Sequence, residues 1–151
     1  MMVHVECLPD ETLIMVLGGT RKSVTHHMSK SRVFSQLKKV KDHIAMVDED
    51  PRSPKTTYEK QLRLVETNAG VTVLEDTSKN RVCILKGKLE DWMIQVCQKS
   101  GINMEVYNLP SRPNELHRVI NDRLSSLKKL IQHLLEVKNP DILYLKSRLG
   151  L

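Results

Sequence analysis

At 151 residues, with 40% apolar and 28% charged side chains, the chain has the size and balance of one globular domain that buries its core unaided. Its 24 Lys and Arg against 18 Asp and Glu leave a net charge of +6 and a pI near 9.3, which favours polyanionic partners. Aromatics at 3% exclude the stacking platforms of single-strand binders, and three scattered Cys with no CxxC or His pair at ligand spacing exclude a zinc site or disulfide framework.

Met2-Val3-His4-Val5 predicts a short strand that stops at Glu6. Pro9 then opens a helix, with Asp10 and Glu11 favoured at the positive end of its dipole. Leu13, Ile14 and Leu17 give it an apolar face, and Gly18-Gly19 ends it. Thr20 to Lys30 reads as a polar, basic loop with room for a short strand around Ser23–Thr25. Ser29 or Ser31 can cap a second helix, whose Val33, Phe34, Leu37 and Val40 recur at helical spacing.

His43-Ile44-Ala45-Met46-Val47 is a continuous apolar run, which suits a parallel strand covered on both faces. It ends abruptly in Asp48-Glu49-Asp50-Pro51. Tyr58 to Asn68 predicts a third helix closed by Gly70. Val71–Leu74 and Arg81–Leu85 follow as strands, joined by a turn around Asp76–Asn80. Leu89 to Ser100 predicts a helix ending at Gly101, and the longest apolar stripe, Leu116 to Leu135, follows Pro113. Pro140 separates that stripe from a last helical piece, Ile142 to Leu149. The alternation implies an α/β fold: a mostly parallel, Rossmann-like sheet of four to five strands with helices on both faces. Residues 1–108 form its core, and residues 109–151 form helices packed on that core within a single domain. With no apolar run of about 20 residues and no leader pattern, no membrane partner is expected, and the cytoplasm is the expected compartment.

In such sheets ligands sit outside the carboxyl ends of the strands. Glu6 follows the first strand directly, and Asp48, Glu49 and Asp50 follow another. Side-by-side carboxylates repel unless a cation lies between them, and hard oxygen ligands suit Mg²⁺. Taken alone, an acidic tripeptide before Pro is more often a solvated turn; several acids at one sheet edge favour the functional reading.

Three segments resemble the Toprim family. Val5-Glu6-Cys7-Leu8-Pro9-Asp10-Glu11-Thr12-Leu13-Ile14 is similar to its first motif, in the version of the overcoming-lysogenization-defect (OLD) nucleases and small stand-alone Toprim-like proteins. Ala45-Met46-Val47-Asp48-Glu49-Asp50 resembles the DxD motif, and Leu85-Lys86-Gly87-Lys88-Leu89-Glu90-Asp91 resembles the OLD-type third segment. Cys7 stands where that family has Gly, and Pro51 where it has a small residue. The resemblance implies Glu6 as the catalytic acid/base or a metal ligand. It also implies Asp48, Asp50, Asp10 and Glu90 as ligands of Mg²⁺, with Mn²⁺ as substitute. The implied function is a metal-dependent nuclease or phosphoryl-transfer domain acting on nucleic acid. No GxxxxGK[ST] loop is present, so the ATPase of OLD nucleases would be a separate partner subunit. The alternatives are a catalytically degenerate Toprim-like binding or assembly module, and a receiver-like domain, whose acid pattern fits the DxD less well.

Arg21, Lys22, Lys30 and Arg32, with His26-His27 among them, lie between the first two acidic motifs and are the candidate nucleic-acid contacts. Adjacent histidines could shuttle protons, although on a loop they are more often incidental. The wide Leu/Ile stripe after Pro113 predicts packing on the core, with a homodimer through that helix as the second reading.

Overall fold

The computed structural model describes residues 1–151. Two buried strands, Val3–Val5 (β1) and Ile44–Asp48 (β3), pair in parallel within the sheet. Both are buried on both faces apart from Asp48 at the end of β3. β1 also pairs with Val24–His26 (β2), and β3 with Arg81–Leu85 (β6), again in parallel. The connecting helices are Leu8–Leu17 (α1) between β1 and β2, and Lys30–Leu37 (α2) between β2 and β3.

These helices lie on opposite faces of the sheet. Leu13, Ile14 and Leu17 of α1 join Val3, Val5, Ile44 and Met46 in the larger apolar cluster. Val33, Phe34 and Leu37 of α2 join Ala45, Val47 and Val82 in a smaller one. The strand order β2-β1-β3-β6 therefore reverses direction between β1 and β3, which is the topological switch point of an α/β sheet.

The sheet has six strands, not four or five, and it is mixed. Thr57–Gln61 (α3) ends early, and Arg63–Asn68 (β4) is a strand where the sequence predicted continuing helix. Leu62 leaves the helix with extended backbone, and Leu64, Val65 and Thr67 suit a pleated edge. Ala69 and Gly70, both at positive φ (54° and 70°), then form the tight turn that returns the chain as Val71–Glu75 (β5). β5 is antiparallel to both β4 and β6, completing the order β2-β1-β3-β6-β5-β4. A side chain at 70 would also strike the Trp92 ring, 3.0 Å from the added carbon. The Trp92 indole N–H donates to Ala69 O at 2.8 Å.

After β6, Leu89–Ser100 (α4) buries Trp92, Met93, Val96 and Cys97. The long C-terminal pattern is not one helix. Pro113–Val119 (α5) passes into a 3-10 turn at Ile120–Asp122 before Leu124–Glu136 (α6) begins. Asn121 and Asp122 are residues whose side chains compete with helical backbone bonds, and Arg123 leaves helical geometry altogether. Leu127, Leu130, Ile131 and Leu134 of α6 are fully buried in the cluster that holds α1, so this stripe is occupied within the chain. Pro140–Arg148 (α7) closes the molecule. No helix is long and apolar enough to cross a membrane.

Asn80, fully buried in the β5–β6 turn, ties the elements together. Its amide donates to Leu37 O and Val40 O (both 2.9 Å) and to Asp76 (2.8 Å), and its oxygen accepts from His43 N (2.9 Å). Asn80→Ala would leave those buried partners unpaired, and a loss of about 3 kcal/mol in urea unfolding is expected. A loss under about 1 kcal/mol would show that the network carries no stability.

Candidate functional site

The loops that leave β1 and β3 meet at the switch point, and their acids meet with them. Glu6 is the first residue past β1, and its Oε2 accepts from the backbone N–H of Asp48 at 2.8 Å. Asp10 is in the first turn of α1, where its Oδ2 accepts from the backbone N–H (3.2 Å) and thiol (3.1 Å) of Cys7. That bond folds the carboxylate back under the helix start, leaving Asp10 only 1% exposed. Glu90, 6% exposed, comes from the first turn of α4, whose start is brought close by Gly87. At 87 the backbone has φ 73°, and an added carbon would lie 2.9 Å from Asp91, which accepts from Lys88 N at 2.8 Å.

The electrostatics follow from this crowding. Burial, then repulsion from Asp10, Glu6 and Glu90, raises the Asp48 carboxyl from 3.8 to about 8. Burial raises Asp10 from 3.8 to about 7, with Glu6 adding to the effect against the hydrogen bonds from Cys7. Glu6 is raised too, chiefly by burial, while the Asp48 backbone N–H and the Lys30 charge oppose the rise. Asp10 Oδ1 and Asp48 Oδ1 are both buried without a hydrogen-bond partner. Folded proteins rarely leave such oxygens orphaned, and a hard cation satisfies them by chemistry that no neighbouring side chain supplies here.

The fold thus brings together four of the predicted acids: Glu6, Asp10, Asp48 and Glu90. Asp50 is the exposed member: its charge adds to the rise of Glu6, but it is not buried with the other four. The strand stops at Asp48, and the exposed Asp50 accepts from Ser53 Oγ at 2.6 Å. That hydroxyl holds the Asp50 carboxyl below its usual range. No three His, Cys, Asp or Glu side chains stand ready as a metal cage. Mg²⁺ needs none, because it keeps several waters and takes only one or two carboxylates besides phosphate oxygens. The donor set at Asp10 and Asp48 therefore fits such an ion.

Glu6 and Asp48 of this group also line a cavity of about 630 Å³, where Glu49, Asp50 and Asp91 join them and Lys30, Arg52 and Lys88 supply positive charge. Of the four predicted basic contacts, only Lys30 lines it. Arg21 and Lys22 precede Ser23, whose carbonyl accepts from Val3 N, so they belong to the opposite edge of the sheet. Arg32 is exposed on α2. Three contributors escaped the sequence reading. Arg52 and Lys88 flank acidic motifs and look like ordinary surface charge. His117 of α5, whose Nδ1 lies 2.9 Å from Glu90, carries no signal linking it to a residue 27 positions earlier.

No family model, curated protein or solved structure matches this chain.

Proposed function

We propose that the chain is a Toprim-like, Mg²⁺-dependent nuclease or phosphoryl-transfer domain acting on nucleic acid. The observation that carries this reading is the buried acid cluster at the switch point, with two orphaned carboxylate oxygens, next to a cavity that Glu6 and Asp48 line together with Lys30, Arg52 and Lys88. Asp10 and Asp48 would hold the ion with Glu90 behind them, and a bound Mg²⁺ supplies charge neutralisation at a phosphodiester and activation of water. The rest is the work of the chain itself. Glu6, whose carboxyl is raised by burial and held on the Asp48 amide, is the group placed to accept a proton. Lys30, Arg52 and Lys88 can take the phosphates on either side of the scissile one. The order of the acidic motifs supports the Toprim-like assignment, and a separate ATPase subunit goes with the OLD type. Asp50, exposed and bonded to Ser53, favours the second reading, a degenerate module that binds nucleic acid without cutting it.

Cleavage of plasmid and RNA with Mg²⁺ or Mn²⁺ tests the proposal. The wild-type chain is expected to cut only with metal. Asp48→Asn and Asp10→Asn should each lose about 100-fold or more, the scale of a lost charge-stabilising group. Asp50→Asn should lose less than about tenfold, because its carboxylate is outside the cluster. Nucleic-acid binding without metal-dependent cutting by the wild type would leave the module reading in its place.

A further inference from the structure

The strand parity that places apolar side chains also places three histidines on one face of the sheet. His4 is the middle residue of β1, in register with Thr25 of β2 and Ala45 of β3. His27 is two residues past Thr25 and His43 two residues before Ala45, so all three side chains fall on the face that α2 covers. They are also in contact. His4 Nδ1 is 2.8 Å from His27 Nε2, and His4 Nε2 is 2.8 Å from His43 Nδ1. The rings form a row, with centroids 5.1 Å apart at both steps.

The row has a buried middle and open ends. His4 is 3% exposed, while His27 and His43 are half-buried. The helix face above it consists of Val33, Phe34 and Leu37, so α2 brings no charge to His4. The charges that act on it are those of the two flanking imidazoles, with His26 beside His27. The ends also lie at opposite edges of the sheet. His27 N donates to Val5 O, immediately before Glu6 at the acidic edge, whereas His43 precedes β3 at the other edge, held there by Asn80.

We propose that His27, His4 and His43 form a proton relay across the sheet, which delivers to solvent at the far edge a proton released at the acidic edge. The release itself rests on the hydrolytic reading above. A neutral imidazole donates from one nitrogen and accepts at the other, so two N···N bonds in series must share one direction. In the starting state His27 Nε2–H donates to His4 Nδ1, and His4 Nε2–H donates to His43 Nδ1. A proton taken up at His27 Nδ1 sends the Nε2 proton to His4. His4 passes its own Nε2 proton to His43, and His43 loses its Nε2 proton to water. One proton enters, one leaves, and every ring ends neutral in the opposite tautomer. The sequence is reversible, and it never places a lasting charge on the buried ring.

The test uses replacements that keep the hydrogen bonds but cannot pass a proton through. Asn places an amide group where His43 has Nδ1, and Gln places one where His27 has Nε2. In long-range ¹H–¹⁵N spectra of the metal-free wild-type chain, both nitrogens of His4 are expected at shifts averaged between protonated and bare. In His43→Asn they should separate into one fixed tautomer. A single fixed tautomer in the wild type would overturn the relay, whatever the protein's activity. In Mg²⁺-dependent plasmid cleavage, His43→Asn and His27→Gln should each slow the reaction by about tenfold or more, and added imidazole should restore it. Unchanged rates, or slowing that imidazole does not relieve, would also overturn it. If the wild type cuts nothing, the hydrolytic reading falls, and the tautomer measurement still decides whether the row conducts.

Discussion

At pH 8 without divalent cations, Asp48→Asn is expected to melt about 5 °C above the wild-type chain. In the folded state the Asp48 carboxyl sits at about 8, against 3.8 for a solvated one. The native state therefore holds a proton that the unfolded chain has released, and stability present at acid pH is lost as pH rises from about 4 towards 8. At about 1.4 kcal/mol per pH unit, that window sets a ceiling of roughly 6 kcal/mol. An Asn amide at the same place is still buried with few partners, so a net gain of about 2 kcal/mol is the expected share. With Mg²⁺ the order should reverse. A cation at 100 times its dissociation constant stabilises the wild type by about 2.7 kcal/mol and does nothing for a variant that cannot hold it. Asp50→Asn should keep the Mg²⁺ response. A destabilised Asp48→Asn that still responds to Mg²⁺ would sink the idea that this cluster is an unneutralised cation site.

The sign of that effect separates a functional cluster from a structural one. Structural carboxylates are paired, so removing one leaves a partner stranded and costs stability. Here Asp10 and Asp48 repel each other and keep an orphaned oxygen each, a conflict that folding alone would not preserve. Asp91 shows the contrast: although it also lines the cavity, its carboxylate has a partner, accepting from Lys88 N to close the Gly87 turn.

The acids were legible because strand ends are legible. An unbroken apolar run followed by charge marks both the strand and its carboxyl edge, which is how Glu6 and Asp48 stood out. Glu90 and Asp10 came from motif resemblance, since nothing in their spacing says that two helix starts converge. The exposed turn at Asp50 was not legible, because whether the backbone stays extended past Asp48 depends on Pro51 and Ser53. β4 was missed for a different reason. Leu62, Leu64 and Val65 fit a helical face as well as a strand, and only Ala69-Gly70 pointed to a hairpin. Likewise Arg21 and Lys22 are close in sequence to Lys30, but β2 runs between them and carries the chain from one edge of the sheet to the other.

His4 itself gives the second large effect, seen in acid. Burial, with repulsion from His27 and His43, lowers its pKa from 6.5 to about 4. The folded chain keeps the ring neutral while the unfolded chain protonates it below about 6.5. The unfolded state then binds more protons, so the contribution is complete above pH 6.5 and disappears as pH falls to about 4. The full window corresponds to roughly 3 kcal/mol. Overall stability will not show this cleanly, because Asp10 and Asp48 gain over the same range as they protonate. The difference between wild type and His4→Gln isolates it. At pH 7.5 the variant should be less stable by about 2 kcal/mol, having lost two buried hydrogen bonds. By pH 4.5 that deficit should vanish or reverse in urea unfolding, because the wild type then bears the cost of an uncharged buried imidazole and the variant does not. A deficit that stays constant between those two pH values would mean that His4 protonates as readily in the folded chain as in the unfolded one, and that the buried row does not hold it neutral.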